Sequence, residues 1–154
     1  PAFYLPSILA SPNDIDTFKK TGQRRDLNRE KFDANKLQDL LKNFNSPASK
    51  NISYLSHVIK VRSRLRAFHP ESFMKCISTN IANCLIIQRG INADKIYVIC
   101  NMSDKCINIP LLKELDLLPF NSNNCLIDNI TGTSLNVDKF ELKPYQVVWV
   151  SLID

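Results

Sequence analysis

Glycine is scarce in this chain. Its 154 residues contain only Gly22, Gly90 and Gly132, where average usage near ~7% would supply roughly eleven. No two of them share a turn, so neither a dinucleotide fingerprint nor a phosphate-cradling P-loop is present. Histidine is sparse too. His57 and His69 are the only two, which excludes a three-histidine metal site, and no HExxH occurs. The five cysteines, Cys76, Cys84, Cys100, Cys106 and Cys125, form no CxxC pair. An odd number without metal spacing or a secretion signal predicts reduced, mostly buried thiols and a cytoplasmic protein. No apolar run approaches the ~18 residues of a membrane span, and the amino end lacks a signal-peptide pattern. The three N-x-S/T sequons, at Asn51, Asn101 and Asn129, are what an asparagine-rich chain yields by chance. The opening Pro1-Ala2-Phe3, without an initiator Met, suggests a fragment.

What is present has an ordinary globular balance. Hydrophobic residues make up 44% and charged residues 23%, which argues against wholesale disorder. The charge is uneven: residues 1–67 hold 13 Lys and Arg against 6 Asp and Glu, and residues 68–154 hold 7 against 9. The apolar pattern changes at the same place. Residues 2–9 are an apolar run consistent with a strand buried on both faces. Pro12-Asn13-Asp14 leads into a short helix near 14–20, and a charged loop runs from Thr21 to Lys31. Asp33 can cap a helix through Leu37, Leu40, Leu41 and Phe44; Ser46-Pro47 can start a longer one to about Arg66. From Phe68 onward the runs 73–78, 83–88, 95–100, 124–127 and 146–152 read as short strands with turn punctuation, the pattern of an antiparallel sandwich.

The segment from Arg24 to Glu30 has the densest side-chain chemistry: Arg24, Arg25, Asp26, Asn28, Arg29 and Glu30. Guanidinium forks can fix hydroxyls, carboxylates or phosphates. The same residues also suit a solvated loop, and composition does not separate the two. Nucleic-acid binding by the basic half is disfavoured, since no aromatic interleaves the arginines. On the helix from Ser46, Arg62 and Arg66 fall within the broad apolar face of Ile52, Leu55, Val58 and Leu65, which predicts a structural ion pair. His69, before Pro70, marks the helix exit. Asp14, Asp16, Asp26 and Glu30 are candidate acid–base groups, but no spacing singles out a pair.

Tyr4-Leu5-Pro6-Ser7-Ile8-Leu9-Ala10-Ser11-Pro12-Asn13-Asp14, then Thr21-Gly22 and Arg25-Asp26-Leu27-Asn28-Arg29-Glu30, resemble the sucrose phosphorylase group of the α-amylase superfamily. Ala67-Phe68-His69-Pro70, Asn101-Met102-Ser103 and Leu142-Lys143-Pro144-Tyr145-Gln146-Val147-Val148-Trp149 continue the match in order. The resemblance implies an α/β plus all-β fold. Residues 1–67 would be the end of a (β/α)8 barrel, with strand eight at 2–9 and the following loop and helices. Residues 68–154 would be an antiparallel β-sandwich C-terminal domain packed on the rest of that barrel.

The implied activity is retaining α-glucosyl transfer from sucrose or a related α-glucoside to inorganic phosphate, giving α-glucose 1-phosphate. Phosphate is then the co-substrate, with no cofactor, metal, nucleic acid or membrane. An Asp nucleophile, a Glu acid/base and a second Asp belong to strands four, five and seven, so the resemblance places no catalytic residue in this chain and implies that the isolated fragment is inactive. By position Arg25 binds the glucosyl unit, and Asp26, Asn28 and Arg29 support its loop. Arg24 stands where many relatives carry a small residue; its guanidinium contacts an anionic acceptor or points to solvent. The alternatives are an α-glucosidase or glucosyltransferase of the same superfamily, or a non-catalytic β-domain that binds carbohydrate or a partner.

Overall fold

A computed structural model describes residues 3–28, 31–115, 117, 125–137 and 140–153. The chain divides into two compact units, residues 1–59 and 60–154. The first holds α1 (Leu5–Ile8), α2 (Ile15–Thr21), a 3-10 turn (Arg24–Asn28), α3 (Ala34–Lys42) and most of α4 (Pro47–Arg64).

The strand expected over residues 2–9 is not formed. Ile8 N donates to Tyr4 O at 3.1 Å and Leu9 N to Leu5 O at 3.0 Å, closing a helical turn. Pro6 supports it, because its fixed φ suits a first helical turn and its missing N–H is not needed there. Phe3, Tyr4 and Leu5 are each about half exposed, at 48%, 49% and 50%, which a strand covered on both faces would not be. A strand must also take its hydrogen bonds from neighbours, and the first unit has no strand among the described residues.

The caps predicted further on are present. The Asp33 carboxylate accepts from Asn35 N and Lys36 N at 3.1 and 3.0 Å, satisfying two orphan donors of α3. Ser46 Oγ accepts from Ser49 N at 3.0 Å and donates to Leu40 O at 2.8 Å. One buried hydroxyl thus starts α4 and takes up a carbonyl from the last turn of α3.

The second unit is built on an antiparallel sheet. Its strands, with their places in the chain, are β1 (Met74–Ile77), β2 (Cys84–Arg89), β3 (Ile96–Asn101), β5 (Cys125–Asp128), β6 (Thr133–Leu135) and β8 (Val147–Ile153). They run in the order β1-β2-β3-β8-β5-β6. A separate two-stranded ladder joins β4 (Ile107–Ile109) to β7 (Phe140–Leu142), and the short helix α5 (Leu111–Glu114) follows β4. Ile86, Ile99, Leu126, Val148 and Val150 of the large sheet form one buried cluster with Ile109, Phe140 and Leu142 of the ladder and Leu111 and Leu115. Burying such side chains stabilises by about 1.5–3 kcal/mol each.

Buried polar side chains hold the irregular joints of this unit. Asn101 Nδ2 lies 2.6 Å from Lys105 O and 2.9 Å from Lys143 O, while its Oδ1 accepts from Ser103 N at 3.0 Å. The Asp128 carboxylate accepts from Ile130 N, Trp149 N and Thr131 Oγ1 at 3.1, 3.0 and 2.8 Å. Asn129 Nδ2 donates to Trp149 O at 2.8 Å, and in the first unit Asn51 Nδ2 donates to Ile8 O at 2.7 Å. All three sequon amides therefore carry main-chain hydrogen bonds.

The thiols are free as expected but are not mostly buried. Cys76 and Cys106 are exposed, and Cys84, Cys100 and Cys125 are half-buried. Cys76 lies on β1, an edge strand with one neighbour, which leaves it uncovered. Burial, with Glu114 and Cys100 adding to it, pushes the Cys84 thiol up to about 11.

Asn101→Ala should lower the stability of the second unit by about 2 kcal/mol, because it strands carbonyls that are cut off from water; denaturant titration followed by Trp149 fluorescence measures this. At pH 8 a small alkylating agent should label Cys76 well before Cys84, since the thiolate is the nucleophile. The raised value has a stability consequence as well. The folded state holds the Cys84 proton more tightly, so its contribution is intact below about pH 9 and is lost as pH rises through 11. Equal labelling rates for the two thiols at pH 8 would contradict this burial pattern.

Candidate functional site

The predicted charged loop contains a fixed turn. Asp14 caps α2, accepting from Thr17 N at 2.9 Å and Thr17 Oγ1 at 2.6 Å. These bonds hold the Asp14 carboxyl below its ordinary value. Gly22 ends the helix in the left-handed conformation at φ +67°, its N–H bonding Phe18 O at 2.8 Å. That conformation favours glycine and is one use of the chain's few.

Three hydrogen bonds from separate places then pin the 3-10 turn. Thr21 Oγ1 donates to Asp26 Oδ2 at 2.6 Å, Asp14 N donates to Leu27 O at 2.7 Å, and Tyr4 Oη donates to Asn28 O at 2.7 Å. The loop support expected of Asp26 has a direct partner in Thr21. Asn28 is held through its main-chain carbonyl. Arg24 and Arg25 are exposed, and neither guanidinium has a hydrogen bond or ion pair among the described residues. Arg29 and Glu30 lie outside the described residues. The turn therefore presents cationic and amide groups on a main chain that is already ordered, and binding need not pay that ordering cost again.

A second cluster lies in the other unit, around the exit of α4. Phe68 packs on Trp149 with ring centroids 4.4 Å apart and planes at 48°. Arg89 Nε donates to Ala67 O at 3.1 Å and its Nη2 to His69 O at 2.8 Å. Gly90 is required beside them: φ is +69°, and a Cβ there would stand 2.5 Å from Asp94 O. The ion pair expected of Arg62 and Arg66 is not formed. Neither pairs with a carboxylate among the described residues. Arg62 instead donates to Phe68 O at 3.1 Å and lies 5.8 Å from the centre of the Phe68 ring. Beyond the end of α4 a main-chain carbonyl lacking a partner is the nearer need.

A cleft of about 830 Å³ opens here, lined by Arg62, Arg66, Phe68, His69, Glu71 and Asp94 among others. It contains no activated hydroxyl, since Ser72 Oγ donates to Arg66 O at 2.8 Å rather than to a base. Among the described residues no three His, Cys, Asp or Glu side chains gather as a metal site, and no helix is long and apolar enough to cross a membrane.

Of the two places, the 3-10 turn is the one that holds Arg24, Arg25, Asp26 and Asn28. Tyr4 and Thr21 were without an assigned role in the sequence. Thr21 was open to detection as a hydroxyl five residues before an acid; Tyr4 acts across twenty-four residues and leaves no local signal. Removing the Asp26 carboxylate should free the turn by about 1 kcal/mol, a factor near ~5 in its open population. Trypsin cuts after arginine, so Asp26→Ala should speed cleavage at Arg24 and Arg25 about five-fold; an unchanged rate would mean Thr21–Asp26 holds nothing.

No family model matches the chain. It is 30% identical over 152 residues to a glucosylglycerate phosphorylase of Allomeiothermus silvanus, an alignment covering 97% of this chain and 24% of that protein. It is 26% identical over 155 residues to a glucosylglycerate phosphorylase of Escherichia coli, covering 97% of this chain and 25% of the other. The chain spans about a quarter of the length of these curated relatives. Along almost all of its own length, it is similar to one segment of two glycosyl phosphorylases.

Proposed function

We propose that this chain is the C-terminal part of a cytoplasmic, retaining α-glucosyl phosphorylase of the α-amylase superfamily, close to the sucrose phosphorylase group. The observation that carries the reading is the alignment, which takes in 97% of the chain with both phosphorylases. In this reading residues 1–67 belong to the end of the catalytic domain and residues 68–154 form the β-domain that follows it. The full-length reaction breaks the glycosidic bond of sucrose or a related α-glucoside and transfers the glucosyl group to phosphate. The products are α-glucose 1-phosphate and the released acceptor. The names of the two relatives support glucosylglycerate as that α-glucoside, with glycerate as the group released.

The catalytic carboxylates lie outside this chain, which supplies binding groups. Arg25 holds the glucosyl unit, and Asp26, Asn28 and Arg29 keep its loop in place. The support for this role is a turn fixed by Tyr4, Asp14 and Thr21 while the Arg25 guanidinium stays unpaired. A group fixed before the substrate arrives stabilises developing charge without reorganising.

The test is phosphate-dependent turnover of the full-length protein on glucosylglycerate and on sucrose. Release of glucose 1-phosphate from glucosylglycerate in preference to sucrose is the expected result. Turnover on sucrose alone would move the reading to sucrose phosphorylase, and phosphate-independent release of glucose would make the protein an α-glucosidase. Arg25→Ala should lower kcat/KM by ~10²-fold or more; an unchanged rate removes Arg25 from the site.

A further inference from the structure

A 3-10 helix has three residues per turn, so side chains at i and i+3 eclipse one another. In the turn Arg24–Asn28, this puts Arg25 and Asn28 on one edge and Arg24 and Leu27 on another, about 120° away. The two edges differ in make-up. The Arg24 edge pairs an exposed guanidinium with the half-buried apolar Leu27, whereas Arg25 and Asn28 are both polar and both exposed. The Asn28 main chain is fixed by the hydrogen bond from Tyr4 Oη at 2.7 Å, yet its side-chain amide bonds nothing among the described residues. Arg25 is in the same condition, so the open edge carries two solvent-facing polar groups that the described residues leave unengaged, on an ordered backbone.

The chemistry of the pair is selective. A guanidinium only donates, while a carboxamide both donates and accepts. Neighbouring ring hydroxyls each donate one hydrogen bond and accept others, so a guanidinium beside a carboxamide matches two adjacent hydroxyls of one sugar. Arg24, on the other edge, is turned away from that pair. We propose that Asn28 is a direct sugar-binding residue, its amide bonding a hydroxyl of the glucosyl unit next to the one bonded by Arg25. This inference rests on the glucosyl-transfer reading and changes the role of Asn28 within it, from support of the loop to contact with the substrate.

The experiment uses the full-length protein, with glucose 1-phosphate and its monodeoxy analogues as donors and glycerate as acceptor. In the wild type, deleting the hydroxyl held by Asn28 should lower kcat/KM by roughly 10–100-fold. Asn28→Ala should lose a similar factor with the normal donor, lose nothing further with that one analogue, and melt at the wild-type temperature. A variant whose loss with each analogue matches that of the wild type, hydroxyl for hydroxyl, would show that Asn28 acts only through the loop and would overturn the proposal. Should Asn28→Ala not fold, Asn28→Ser meets the same analogue test. A folded wild type that does not turn over glucose 1-phosphate overturns the glucosyl-transfer reading itself, and this inference with it.

Discussion

A main-chain group buried without a partner costs more than most contacts return, and much of this chain lies outside regular ladders and helices. The protein meets that constraint with short polar side chains bonded to the main chain. Asp128 takes two N–H groups where β5 turns back, and Asn101 bridges a carbonyl just before β4 to one just after β7. Ser46 joins the end of α3 to the start of α4, and Arg89 holds the two carbonyls beside Phe68. Among the described residues no buried side-chain polar atom lacks a partner. The apolar cluster of the sheet unit can form only because these joints bring its strands back into register.

The same device shapes the candidate site. Tyr4, Asp14 and Thr21 order the turn without using any of its three outward polar side chains. A loop ordered by its own ligand-binding groups would have to give those bonds up on binding. Here the bonds that order the turn fall on one set of residues, and the outward guanidinium and carboxamide groups take no part in them.

Local signals were readable in the sequence where the physics is local. Caps at Asp33 and Ser46 act within three residues, and the β-branched runs that became β1, β2, β3, β5 and β8 state their own preference. The three-residue strands β4, β6 and β7 are too short for a periodic pattern, and only pairing reveals them. Residues 2–9 misled because an unbroken apolar run fits a helix or a strand, and Pro6 with no neighbouring strand decided for the helix. Arg62 was placed correctly near packed side chains, but its partner is a carbonyl, which no charge pattern can announce. For the site, Arg25, Asp26, Asn28 and Arg29 come from resemblance to a family. That Arg25 and Asn28 share one edge of the turn follows from the 3-10 geometry, which a charged segment does not encode legibly.

The sequon asparagines give the fold a history it must follow. Asn101, Asn129 and Asn51 each spend their amide nitrogen on carbonyl oxygens of distant or turning main chain. An unfolded copy threading through the secretory machinery of a eukaryotic host offers those same nitrogens to an oligosaccharyltransferase. Asn101 is 1% exposed and its amide nitrogen faces Lys105 O and Lys143 O, so the folded joint has no room for a glycan there.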